Sequence, residues 1–333
     1  MGNSAICKPH PAIVVVNPRV CAAHNARTWQ LALASLRSGG SVGAEVNTSA
    51  DGTHIEDIVR VVRESRPEVV IAAGGDGTVS DVVQAIMLTD VAERPALAIL
   101  PFGTANNVAR SLGMISCRHG GEKAVDLAVA TALNGAERQI DLGRIGLGRV
   151  GLGRVGQRHF VGSFALGIDA DILVTRNRLR SRLRLGARLG GYPLYLWSCA
   201  VNLLRPHGTP ARLRVDGSAV TSRAYNLLIT NTPIYAGEFR FGSDDSSDDG
   251  YLDLHLFEGP LDYLRRFPAA WRRHVRHTRG LPGRAPRERQ LVRTVQVELA
   301  SPVACQLDGE EYESAASYEI GVVPRALTVR VPA

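Results

Sequence analysis

Lysine is almost missing from this 333-residue chain: Lys8 and Lys123 are the only two, and arginine carries nearly all the positive charge. That skew fits a GC-rich genome better than a mechanism. Aromatic residues make up 5% of the chain and do not interleave with a basic face, so a base-stacking surface is not expected and nucleic acid is not an expected partner. Five cysteines are spread without a C-x-x-C pair, which argues for reduced thiols and against a disulfide scaffold. No long apolar run occurs. The longest uncharged stretch, Gly190 to Leu204, contains Pro193 and Asn202 and falls short of the roughly 20 residues a membrane span needs. An N-terminal signal-peptide core is also lacking, so a cytoplasmic location is expected. What is present is 45% hydrophobic residues, enough for two domains with real cores, and a net charge of +7. That charge favours an anionic partner such as a nucleotide or a membrane surface.

Residues 11–135 alternate apolar strands (12–17, 68–75, 96–103) with helical stretches (54–65, 79–88, 105–113). Alternation of this kind predicts a parallel sheet covered on both faces. From about residue 138 short β-rich runs separated by turn residues take over, interrupted by helical stretches at about 175–204 and 261–276. The predicted class is therefore a three-layer α/β domain with a parallel sheet over 1–138. A mainly antiparallel, β-rich domain follows over 139–333; a return of its C-terminal tail to the first domain is admitted.

Two segments carry chemistry. In "AAGGDGTVSDVV" (72–83) a buried strand ends in Gly74-Gly75, followed by Asp76, Gly77, Thr78 and a helix. Glycines here let the backbone approach a ligand closely, and the amides of the turn with the helix N-terminus suit an anion. Asp76 amid such amides would engage a metal or a catalytic proton; as an alternative it is a plain N-cap. "LPFGTANNVARSLG" (100–113) repeats the device at what would be the same sheet edge, where ligands of such sheets bind. A third segment, Gly146 to Gly156, contains G-x-G-x-x-G twice, the spacing of a dinucleotide fingerprint. It is also a five-residue repeat beginning at Arg144, Arg149 and Arg154, which generates that spacing automatically. The residues downstream of it, 157–167, have the pattern of a strand and not of a helix, so a glycine-rich hairpin insertion is expected.

"GGDGTVSDVV" with "PFGTANNVAR" resembles the diacylglycerol kinase catalytic-domain family, which includes sphingosine kinases and soluble bacterial lipid kinases. "VVNPR" (15–19), "FALGIDADI" (164–172), "DDGYLDL" (248–254) and "LDGEEY" (307–312) extend the resemblance in order along the chain. It implies ATP-dependent phosphorylation of a lipid hydroxyl, diacylglycerol-like or sphingoid-like. It implies ATP contacts at Asn17, Thr48, Gly74, Gly75, Asp76, Gly77, Thr78, Val79, Ser80 and Thr104. Asp249, with backbone oxygens of Ser246 and Tyr251, would hold a structural Mg²⁺, and Glu310 would be the general base beside Asp76 as the second catalytic residue. After Asn17-Pro18 the family pattern has a small-residue, glycine-containing loop; here Arg19-Val20-Cys21 stands instead. Asp308 and Glu310 fall on one side of a regular strand, although alone "LDGEE" also reads as an Asp-Gly turn with solvated acids. "SDDSSDDG" (243–250) alone reads as a solvated acidic loop whose oxygens permit a hard cation.

The expected partners are a lipid substrate and an anionic membrane surface at the inner membrane; a homodimer is admitted. In "LDYLRRFPAAWRRHVRHTRG" (261–280), Leu264, Phe267, Trp271 and Val275 recur at helical spacing among arginines. The competing expectation is that this stripe packs on the protein's own sheet. A second arginine cluster lies at 176–188. The alternatives to a lipid kinase are an NAD kinase-like enzyme with a soluble acceptor, which shares G-G-D-G-T, and a catalytically silent regulator with the same fold. No N-x-G-x-x-G-F-L segment of the NAD kinase kind is present.

Overall fold

In this computed structural model the described residues are 12–38, 42–48, 55–118, 120–147, 157–182, 192–205, 208–243, 247–281 and 289–333. They form two compact units: Met1–Ile140 with Arg325–Ala333, and Asp141–Pro324. The fold is an α/β nucleotide-binding-like domain with a parallel sheet, followed by a β-rich domain.

The first unit runs β1 (Ala12–Val16), α1 (Pro18–Ser38), β2 (Val42–Asn47), α2 (Ile55–Ser65), β3 (Val69–Gly74), α3 (Asp76–Met87), β4 (Ala96–Pro101), α4 (Asn107–Ser111) and α5 (Gly121–Asn134). β5 (Ala136–Leu147) then leads into the second unit. Strand order is β4-β3-β1-β2, all parallel, and β4 is joined on its outer side by the returning C-terminal strand through Val329 opposite Leu97. β1, β3 and β4 are buried along their whole length, as expected for strands covered on both faces. Val14, Val16, Ile71 and Leu100 pack with Trp29 and Leu36 of α1 and with Phe102.

Three elements here were not foreseen: α1, β2 and α5. α1 replaces the expected loop after Asn17-Pro18. Pro18 takes its first position, where a missing N–H is harmless, and Asn17 caps it, its Oδ1 accepting the Val20 N–H at 3.2 Å. Arg19-Val20-Cys21 is thus the first helical turn and not a phosphate loop. The Cys21 thiol is buried, donates to the Ala73 carbonyl and is pushed up to about 12 by its burial, so it stays protonated.

The second unit contains β6 (Arg158–Phe160), β7 (Ser163–Gly167), α6 (Ile168–Arg182), α7 (Tyr192–Leu203), β8 (Thr209–Val215), β9 (Ser218–Ala224), β10 (Asn226–Thr230), β11 (Ile234–Tyr235), β12 (Phe239–Arg240), β13 (Leu252–Phe257), α8 (Pro260–Thr278), β14 (Gln290–Val292), β15 (Thr294–Leu307) and β16 (Glu310–Val331). The path β14-β13-β10-β7-β15-β16 is antiparallel throughout. Side chains alternate as a period of two demands. Phe164, Leu166, Leu227 and Ile229 enter one core with Val295, Val297 and Tyr318. Ala165 and Leu228 face the opposite way and pack with Ile168 and Ile172 of α6 and Tyr263, Phe267 and Ala270 of α8.

The helical stretch expected over 175–204 is two helices, α6 starting seven residues earlier and α7 ending one earlier, with 183–191 outside the described residues. α8 continues through Pro268. The stripe of Leu264, Phe267, Trp271 and Val275 is divided: Phe267 packs inward, on the side of 263, 270 and 274, while Leu264 and Trp271 are exposed.

β5 and β6 pair antiparallel, Gly143 opposite Phe160 and Ile145 opposite Arg158. Most of the five-residue repeat, 148–156, lies outside the described residues. The described chain that follows it is a strand, β6, where the fingerprint would call for a helix.

Candidate functional site

The C-terminal ends of four parallel strands deliver the predicted nucleotide residues to one edge of the first unit's sheet. Asn17 follows β1, and its N–H is donated to the Ala73 carbonyl of β3 at 3.0 Å. Thr48 follows β2, is buried, and donates its N–H to the Val16 carbonyl at 2.8 Å. After β3 the chain turns at Gly75, the extended N-cap of α3, so Asp76, Gly77 and Thr78 are the first three helical residues. Among the described residues no side-chain hydrogen bond caps α3. Its first amides and dipole therefore favour an anion at this end.

β4 ends beside it. The amides of Phe102 and Gly103 both donate to the Gly74 carbonyl at 2.9 Å, which clamps the two turns together. A Cβ on Gly103 would sit 2.5 Å from the Gly75 Cα and 2.6 Å from Asn106 Oδ1; one on Gly74 would meet Thr78 Oγ1 at 2.3 Å. Glycine is required here by the approach of one backbone to another. Asn106 adopts a left-handed conformation as the N-cap residue of α4, and its side-chain amide donates to the carbonyls of Gly103 and Pro101. Asp76 is not the N-cap of its own helix. Its Oδ1 accepts the Val108 N–H at 3.2 Å, so it caps α4 from across the paired turns. Thr104 is exposed and accepts from Arg118 Nη1 at 2.7 Å. Val79 is buried and Ser80 half-buried in the first turns of α3.

The remaining predicted residues belong to the second unit. Leu307 pairs with Glu310 across a two-residue turn, with φ of 51° at Asp308 and 87° at Gly309. This corrects the regular-strand expectation: Asp308 is the first residue of the turn and Glu310 the first residue after it, so the two do not share a strand face. An Asp-Gly pair with both φ positive is the preferred hairpin connection. Asp308 is buried, and its carboxylate accepts the N–H groups of Val161, Gly162 and Ser163 at 3.0, 2.7 and 2.9 Å. It is a structural anchor for the β6–β7 connection. Glu310 is exposed at the start of β16, and its charge acts on Arg176 of α6, whose guanidinium is lowered first by burial.

Of the expected Mg²⁺ ligands, Ser246 lies outside the described residues. Asp249 Oδ1 accepts the Tyr251 N–H at 2.9 Å, and the carboxyl is held above the usual range, first by burial and also by the nearby Asp141 charge. Asp141 was not foreseen. It is fully buried in β5, its Oδ2 accepts the Gly250 N–H at 2.6 Å, and its own N–H is donated to the Ser247 carbonyl at 2.7 Å. Its only sequence signal is an acid inside an apolar strand, and its partner is 109 residues away. Among the described residues no cluster of three or more His, Cys, Asp or Glu side chains could hold a metal. A cation here would rest on one carboxylate and main-chain oxygens. That is a donor set for a hard ion, next to a second carboxylate that favours positive charge.

A family model for the diacylglycerol kinase catalytic domain matches residues 11–145, and one for the YegS C-terminal NAD kinase beta sandwich-like domain matches residues 162–331. The chain belongs to the family that joins a diacylglycerol kinase catalytic domain to a YegS C-terminal NAD kinase beta sandwich-like domain. It is 28% identical over 247 residues to a diacylglycerol kinase of Bacillus subtilis (strain 168), covering 73% of this chain and 71% of the relative. It is 28% identical over 270 residues to a YegS-like lipid kinase of Enterobacter sp. (strain 638), covering 80% and 78%. Among solved structures, a diacylglycerol kinase from Bacillus anthracis str. Sterne superimposes with a TM-score of 0.65 at 16% identity, over 97% of each chain. Yeast NADH kinase in complex with NADH does so with 0.53 at 11%, over 97% of this chain and 83% of that one. These likenesses are of fold. Residues 146–161, which hold both fingerprints, fall between the two family models.

Proposed function

We propose that this kinase-family chain transfers the γ-phosphoryl group of ATP to a lipid hydroxyl. The observation that carries this reading is the sheet edge where Gly75 and Gly103 are packed backbone to backbone and α3 begins without a side-chain cap among the described residues. Phosphoryl transfer asks chiefly for positioning and charge stabilisation, which such an edge supplies. The triphosphate rests on the turn from Gly74 to Ser80, with Asn17, Thr48 and Thr104 around the nucleotide. Glu310 takes the proton of the acceptor hydroxyl as its oxygen bonds to the γ-phosphorus, and the bond from that phosphorus to the leaving ADP oxygen breaks. Asp76 holds α4 in place through Val108, and its carboxylate would engage the cation that accompanies the triphosphate. Asp249, with main-chain oxygens of Ser246 and Tyr251, would hold Mg²⁺, which would neutralise charge beside Asp141.

Diacylglycerol-like and sphingoid-like lipids are the proposed acceptors, and the site of action is the cytoplasmic membrane face. Among the described residues no helix is long and apolar enough to cross a membrane. The test is ADP release and phosphate incorporation by the full chain with ATP and Mg²⁺, against diacylglycerol, ceramide and sphingosine in mixed micelles and against NAD in solution. Phosphorylated lipid is the expected product. Phosphorylated NAD without lipid product would replace this reading with the soluble-acceptor one, and no transfer to any acceptor would favour a silent regulator.

A further inference from the structure

Helix α8 buries one side and leaves an unusual one outside. Tyr263, Phe267 and Ala270 pack into the core, while Arg266 is buried over the Phe257 ring with its guanidinium carbon 4.1 Å from the centroid. Arg273 turns inward to the Arg240 carbonyl at 3.0 Å. The outward residues then fall in two adjoining sectors. Leu261, Leu264, Pro268 and Trp271, with half-buried Val275, form an apolar stripe; Leu261 is 83% and Trp271 47% exposed. Arg265, Arg272 and Arg276 lie immediately beside it and are exposed. At 3.6 residues per turn the two sectors together cover about 140° of the helix. The apolar residues recur at spacings of three and four, so the stripe runs along the helix axis.

We propose that this outer face of α8 is a docking surface for a membrane carrying anionic lipid, with the helix lying in the plane of the interface. Single exposed apolar residues are ordinary, but a contiguous stripe is not. A tryptophan and leucines would enter the headgroup boundary while arginines beside them meet lipid phosphates, the division that an interfacial helix requires. The charge favours this occupant over a second copy of the chain. Two such faces would oppose arginine to arginine, in a molecule already at +7. The helix is 19 residues long, about 28 Å, enough to present the whole stripe to a flat surface at once.

The test needs no nucleotide, so its outcome is independent of the phosphoryl-transfer reading. Full-length protein is sedimented with vesicles of phosphatidylcholine alone and with added phosphatidylglycerol, over a range of salt. Binding to the anionic vesicles that weakens with salt is expected. Arg272→Ser with Arg276→Ser is expected to weaken it about 10- to 30-fold. Leu264→Ser with Trp271→Ser should weaken it about as much, while both double variants keep the parent thermal midpoint, since every altered side chain is exposed. In a Trp197→Phe background, which leaves Trp271 and the buried Trp29, lipids brominated on the acyl chains should quench fluorescence, and the quenching should vanish when Trp271→Phe is added. Equal binding to both vesicle types, no binding, or anionic binding that leaves Trp271 unquenched would overturn the proposal. So would a vesicle-free dimer that Trp271→Ser converts to monomer, which would make the face an interface between copies.

Discussion

Two glycine-rich segments of this chain show opposite uses of the same residue. At Gly74-Gly75 and Gly103 two turns meet backbone to backbone, and a methyl group on Gly103 would fall 2.5 Å from another residue's Cα. At the other segment a Cβ on Gly146 would meet nothing closer than 4.0 Å. The first set has lost its side chains to geometry and stands at the ends of β3 and β4, where α3 begins without a side-chain cap among the described residues. The second satisfies a better-known motif twice, yet it joins two antiparallel strands. Spacing alone ranks the second above the first; the local context of strand, turn and helix reverses that order.

The comparison is sharpened by variants whose effects should fall in a fixed sequence. Glu310→Gln is expected to have the largest effect, a loss of about 10²–10⁴ in turnover with ATP affinity retained, because a base serves the acceptor and not the nucleotide. Turnover of the variant with equal ATP binding checks it, and an unchanged rate removes Glu310 from the mechanism. Its neighbour across the turn should behave differently. Asp308→Ala strands three buried amide donors, so a stability loss of at least about 3 kcal/mol is expected, read from denaturant unfolding. Gly103→Ala forces the paired turns apart and should cost about 1–3 kcal/mol, with weaker ATP binding. Smallest of all, excision of Gly146 to Val155 should leave turnover and ATP affinity close to the parent. Ten residues are an even number, so the alternation of faces in the flanking strands is kept. Loss of nucleotide binding on that excision would reopen the fingerprint reading.

Much of the first unit was legible because its signals are local. β1, β3 and β4 are continuous apolar runs, and α2 places Ile58, Val59 and Val62 on one buried face. α1 was missed although its signals were present: Asn17 as cap and Pro18 at the first position. Its apolar residues are scattered among polar ones, and the family pattern at this position is a loop. β2 alternates half-buried with exposed residues as a short edge strand and offers no apolar run. In the second unit the acids resisted reading because their roles are set by distant chain. Asp308 is buried by amides more than 140 residues away, and Asp141 meets Gly250. The arginines near 270 sort inward or outward only once the position of α8 is known. Arg266 and Arg273 serve the interior, while Arg272 and Arg276 do not.

Asp76 joins the two turns on which the whole account depends, so its charge is the most direct thing to remove. Asp76→Asn keeps an oxygen for the Val108 N–H and deletes only the negative charge. The measurement is ATP-dependent phosphorylation of a diacylglycerol micelle by this variant, alongside its thermal midpoint. Because the carboxylate would hold the cation that accompanies the triphosphate, turnover is expected to fall by at least about a hundredfold, near 3 kcal/mol in transition-state stabilisation, while the midpoint moves by only a few degrees. Turnover close to that of the parent protein would contradict it and take the strand-end edge out of the reaction.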